Sequence, residues 1–137
     1  MAEVRTFETG ATRDQDETKH DPEGFLSPLV IDRYNEYMHA NRRQRDGNLR
    51  ASDNWQKGIP LEAYMKSMWR HFLDVWMHHR GWGLKAKEPM EIALCGLLFN
   101  VMGMLDVILR QRYSKVPLEV LRPAQEKSSQ SSSGESS

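Results

Sequence analysis

The run from Ile92 to Leu109 constrains this chain more than any other stretch, because Asn100 and Asp106 are its only polar residues. A helix that is apolar nearly all round must be buried on nearly all sides. A chain of 137 residues has little core with which to surround it. The run therefore predicts an all-α bundle completed by a second copy, a homo-dimer or homo-tetramer. Gly96 and Gly103 lie one turn either side of Asn100 on one helix face, so another helix or a ligand can approach that amide. The structural alternative is two packing notches around a satisfied core amide. The run is also long enough to span a bilayer. Its two polar residues would be costly there and no aromatic belt flanks it, so no membrane span is expected.

Charge and cysteine usage narrow the classes further. Charged residues make up 28% of the chain and the formal net charge is zero. No basic field favours a nucleic acid polymer, and no nucleic-acid fold signature is present. The single cysteine, Cys95, lies in the apolar run and reads as a small core residue in a reducing compartment. Residues 1–18 are polar and acidic without an apolar h-region, which predicts no signal peptide and a cytoplasmic protein. Three segments follow from composition: an extended or flexible arm over 1–24, a helical domain over 25–123, and a disordered Ser-rich tail over 124–137.

Helix signals place the remaining side chains. Ser27-Pro28 is an N-cap followed by proline at the first helical position. That first helix carries Asp32 and Glu36 on one face, and its basic end Asn41 to Arg45 leads to a stop at Asp46-Gly47. Gly47 to Gly58 reads as a loop, with Trp55 either exposed for stacking beside Asn54 and Lys57 or folded back as a core plug. Pro60 opens a second helix from Leu61 to about His79, and Glu88-Pro89 opens a third that runs to about Ser114. Pro117 opens a short further turn over Leu118 to Leu121.

On the second helix, His71, Asp74 and His78 share one stripe, and Arg70 can pair with Asp74. If the first two helices are antiparallel, Asp32 and Glu36 face His71 and Asp74. Oxygen ligands of this kind suit Mg²⁺ or Mn²⁺, which usually share their shell with substrate phosphates. Lys19, Lys57 and Arg70 are then available to phosphate oxygens. The bland alternative is a set of solvated faces with weak surface pairs. Glu91, in the first turn of the third helix, has a structural role there as well as being a further ligand candidate.

These residues, in this order, resemble the phage-borne dATP/dGTP diphosphohydrolases, relatives of the all-α MazG nucleotide pyrophosphohydrolases, and among them the MazZ-type enzymes. The resemblance rests on Thr9-Gly10-Ala11-Thr12-Arg13-Asp14 with Lys19, and on Pro28 to Glu36. It continues in Asn54-Trp55 with Lys57-Gly58, in Arg70-His71, and in Asn100. The chain departs from the MazG pattern in its second motif, which becomes His71-x-x-Asp74, and in the basic stretch Arg42 to Arg50. The resemblance implies a MazG-like bundle that hydrolyses a purine dNTP, dGTP first and dATP second, to dNMP and pyrophosphate. It implies two or more Mg²⁺ or Mn²⁺ ions held by Asp32, Glu36, Asp74 and Glu91, with Glu36, Asp74 and His71 as catalytic groups. His71 stays open between ligand and phosphate contact. Lys19, Asn54, Trp55, Lys57, Arg70 and Asn100 are the implied substrate contacts. The alternative is a non-enzymatic helical interaction or scaffold protein.

Overall fold

The computed structural model describes residues 3–15 and 18–114. The expected turn over Leu118 to Leu121 and the tail 124–137 lie outside the described residues. The fold is mainly helical: two short strands, then α1 (Pro22–Phe25), α2 (Pro28–Ala40), α3 (Leu61–His79) and α4 (Met90–Tyr113), with a 3₁₀ turn over Asn54–Lys57 before α3.

The arm is more regular than its composition announces. β1 (Glu3–Thr6) and β2 (Thr12–Gln15) pair antiparallel, with Thr6 opposite Thr12. Gly10 turns the chain at φ +87°, a conformation glycine adopts without strain, and the Phe7 amide donates to the Ala11 carbonyl at 2.8 Å. The hairpin has no buried residue of its own among those described.

Helix ends follow their caps. Ser27 Oγ accepts from the Val30 amide at 3.3 Å, with Pro28 at the first helical position of α2. Prolines precede α3 and α4 at Pro60 and Pro89. The C-terminus of α2 departs from the sequence reading. The helix stops at Ala40 because Asn41 turns its side chain back, Nδ2 donating to the Tyr37 carbonyl at 2.8 Å. The basic run beyond it folds as a tight reversal. The Arg50 amide donates to Arg42 O at 2.7 Å, Gln44 N to Asn48 O at 2.8 Å, and Gly47 turns at φ +87°.

α3 and α4 form the main helix seam, and α2 adds a lighter contact to α4. The seam is built on small residues. Ala93, Gly96, Asn100 and Gly103 are buried at helical spacing along α4. A Cβ at Gly96 would lie 2.5 Å from His71 Cε1, and one at Gly103 would lie 2.5 Å from Tyr64 Cε1. The two notches therefore admit rings of α3. Asn100 is 2% exposed and donates to the Gly96 carbonyl of its own helix at 2.7 Å.

One face of α4 is thus buried, and the expectation of burial on nearly all sides is not met within one chain. Leu94, Leu98, Val101, Leu105 and Ile108 stay exposed on the opposite side. On α3, Met65, Trp69, Phe72, Leu73 and Trp76 are likewise exposed. By length and composition alone α4 also reaches the requirement for a membrane span.

Candidate functional site

A cleft of about 620 Å³ opens between the C-terminal half of α2, the 42–59 loop, α3 and α4. Its apolar side is formed by Tyr37, Met38, Trp55, Ile59 and Phe99, and its polar side by His39, Asn41, Asn54, Ser67 and His71. Arg42, Arg43 and Arg50 line it from the reversal that follows α2.

Each wall is fixed by local chemistry. The 3₁₀ turn is tied to α4 by Arg110 Nη2, which donates to Gln56 Oε1 at 2.8 Å, while Asp106 holds Arg110 Nε at 2.7 Å. Trp55 meets Phe99 edge to face with ring centres 6.5 Å apart, and Tyr64 meets Phe99 from below at 6.0 Å. Trp55 is half-buried, so it serves as wall rather than as a free platform or a sealed plug. Two of the arginines brace their own loop: Arg42 Nε donates to Arg50 O at 2.8 Å and Arg43 Nη1 to Gly47 O at 3.1 Å. Their remaining N–H groups are left for an anion. The Tyr37 phenol in the wall is pushed up by burial first, then by the Glu88 carboxylate and Cys95.

The His/Asp stripe of α3 fastens the connection to α4. Asp74, 7% exposed, accepts from the Lys87 amide at 3.0 Å. His78 Nε2 donates to the Glu88 carbonyl at 2.7 Å, and His71 Nδ1 lies 3.1 Å from Glu88 Oε2. Glu88 is a functional candidate that sequence reasoning treated only as a helix-start residue. Its signal lies in the fold, which returns the start of α4 to the middle of α3.

Of the residues singled out by sequence, Asn54, Trp55 and His71 are brought together in the cleft. Asn100 is buried, donates to the Gly96 carbonyl of its own helix and is not among the residues lining the cleft. Lys19, Lys57 and Arg70 are exposed and do not line it. Arg42, Arg43 and Arg50 supply its positive charge instead.

The carboxylates do not converge within one chain. Asp32 borders a separate open hollow with Glu23, Leu26 and Ile31. Glu36 is exposed and lies 4.0 Å from Arg33 Nη1, while Glu91 accepts from Arg33 Nε. Asp74 is committed to the Lys87 amide of the connection between α3 and α4. Among the described residues no group of three or more His, Cys, Asp or Glu side chains is placed to hold a metal ion. Asp32, Glu36, Asp74 and Glu91 in this arrangement do not fit a shared two-ion centre. The physical reason is rotation about the helix axes: equal spacing along α2 and α3 says nothing of which way each stripe faces.

Comparison with known protein families, with curated proteins and with solved structures gives no match.

Proposed function

We propose that the chain binds a purine deoxynucleoside triphosphate in the cleft and hydrolyses it to the monophosphate and pyrophosphate, with dGTP preferred over dATP. One observation carries the reading: a single cleft of about 620 Å³ has an aromatic wall of Trp55 and Phe99 beside a cationic rim of Arg42, Arg43 and Arg50. That volume suits a ligand of nucleotide size. The aromatic wall suits a base, Asn54 can hydrogen-bond its edge or the sugar, and guanidinium groups match phosphate oxygens in fork geometry. Mg²⁺ or Mn²⁺ enters this reading with the triphosphate whose charge it offsets. The acidic residues of one chain do not form a set for it, and no step is derived through the ion.

The same reading includes a homo-dimer or homo-tetramer in the cytoplasm of the cell, with no membrane partner and no nucleic acid polymer. The open apolar faces of α3 and α4 support association, because contiguous apolar surface marks interaction sites. Those faces also favour the second reading, a helical interaction or scaffold protein without enzymatic activity.

The test incubates the full chain with each dNTP and Mg²⁺ or Mn²⁺ and measures pyrophosphate. Release from dGTP and dATP is expected. Trp55→Ala should weaken nucleotide binding by about tenfold or more, in keeping with ~1–3 kcal/mol for a stacked base. Release of intact triphosphate instead identifies a different phosphohydrolase. Neither turnover nor nucleotide binding leaves the scaffold reading standing.

A further inference from the structure

We infer that His71 and Glu88 form a proton-handling dyad in the wall of the cleft, with His71 as the catalytic base and Glu88 as its positioning residue. The inference rests on the nucleotide reading of the cleft and names how that site moves a proton.

Geometry carries it. His71 Nδ1 lies 3.1 Å from Glu88 Oε2, and the carboxylate can only accept, so Nδ1 carries the hydrogen. In the neutral ring Nε2 then keeps its lone pair. Nε2 has no hydrogen-bond partner among the described residues, and the ring lines the cleft together with Ser67 and Phe99. The ring cannot swing inward, because it lies against Gly96 at the distance where a Cβ would stand. One carboxylate therefore sets the tautomer and a glycine notch sets the orientation, the two things a histidine base needs.

Other ionisable groups stand around the pair. Glu88 and, from α4, Cys95 both act on the Tyr37 phenol of α2, which lines the same cleft as His71. Asp74 and His78 hold the neighbouring backbone at Lys87 and Glu88. Neither of those two bonds uses the Glu88 side chain, so the connection stays pinned when that side chain is changed.

The step balances within the proposed hydrolysis. A water oxygen attacks the α-phosphorus and its proton passes to His71 Nε2. The bond from the α-phosphorus to the bridging oxygen breaks, and pyrophosphate leaves with the electron pair. The imidazolium formed is stabilised by the Glu88 carboxylate and returns its proton to solvent or to the departing group.

The experiment uses the full chain with dGTP and Mg²⁺ or Mn²⁺. His71→Gln should lower kcat by about 100- to 1000-fold and Glu88→Gln by about 10- to 100-fold, with KM within about twofold, the range general base catalysis supplies. Glu88→Asp should lie between Glu88→Gln and wild type. As an independent readout, ¹⁵N NMR of the wild type at mildly alkaline pH should show His71 as the Nδ1–H tautomer, a preference that Glu88→Gln removes. A wild type that turns over while Glu88→Gln matches it, or a His71 found as the Nε2–H tautomer, overturns the dyad alone. A wild type that neither binds nor hydrolyses any dNTP overturns the nucleotide reading and the dyad with it.

Discussion

The two sides of α4 belong to one helix and follow opposite rules. The inner side, Ala93, Gly96, Asn100 and Gly103, is made of small residues and is closed by rings from α3. The outer side, Leu94, Leu98, Val101, Leu105 and Ile108, is made of large residues and stays open. The inner side is specified by shape, since each notch admits one ring and nothing larger. The outer side offers area without shape, which suits a partner whose details are set elsewhere. Burial of a large aliphatic side chain stabilises by about 1.5–3 kcal/mol, so the outer side holds considerable unused stabilisation.

The comparison breaks most readily at Gly103. An added Cβ there would stand 2.5 Å from Tyr64, whose side chain is 1% exposed and has nowhere to go. Gly103→Val should destabilise the protein by about 3 kcal/mol or more, read from urea denaturation. Gly96→Ala should cost less, about 1 kcal/mol, because His71 can give way toward the cleft. A Gly103→Val protein as stable as wild type would show that the inner side is not set by shape.

The outer side should answer to charge rather than volume. Leu98→Glu with Leu105→Glu is expected to turn an oligomer into a monomer by light scattering, while the thermal midpoint of the monomer shifts by the equivalent of about 1 kcal/mol or less. A wild type that is already monomeric at high concentration would remove self-association as the use of that face.

An effect confined to alkaline conditions, and absent at neutral pH, is expected at Tyr34. Burial, and then Tyr37, Cys95 and Tyr64 in that order, push the Tyr34 phenol up to about 12, and its hydroxyl is buried without a partner. The folded state holds this proton more tightly than the unfolded chain, whose tyrosines ionise near pH 10. Its contribution is therefore complete below about pH 10 and is lost as pH rises toward about 12. Denaturation midpoints across that window should fall for wild type and fall less for Tyr34→Phe. Tyr34→Phe should not be less stable at neutral pH, since no hydrogen bond is lost.

Local signals in the sequence located the helix starts, while the arrangement of side chains between helices was only partly legible. Ser27-Pro28, Pro60 and Pro89 fix where α2, α3 and α4 begin because capping is decided within a few residues. Asn54, Trp55 and His71 were legible as site candidates, and the structure gathers them. The arginine rim was not, because Asn41 ends α2 early and turns a presumed helix end into a reversal. Glu88 was not legible either, since its meeting with His71 depends on how the connection after α3 folds back. The placement of the carboxylates was not legible for a related reason. Periodicity shows that Asp32 and Glu36 share a face, but only packing shows that Asp74 faces Lys87 instead of them.

At Gly96 the distance between two helices is kept by a flat imidazole instead of an aliphatic side chain. Under the proposed dyad the same ring would be both mortar and tool. A lineage that tightened this joint with a single methyl would also be retuning that proposed chemistry, so folding and turnover would then be constrained at one hydrogen atom.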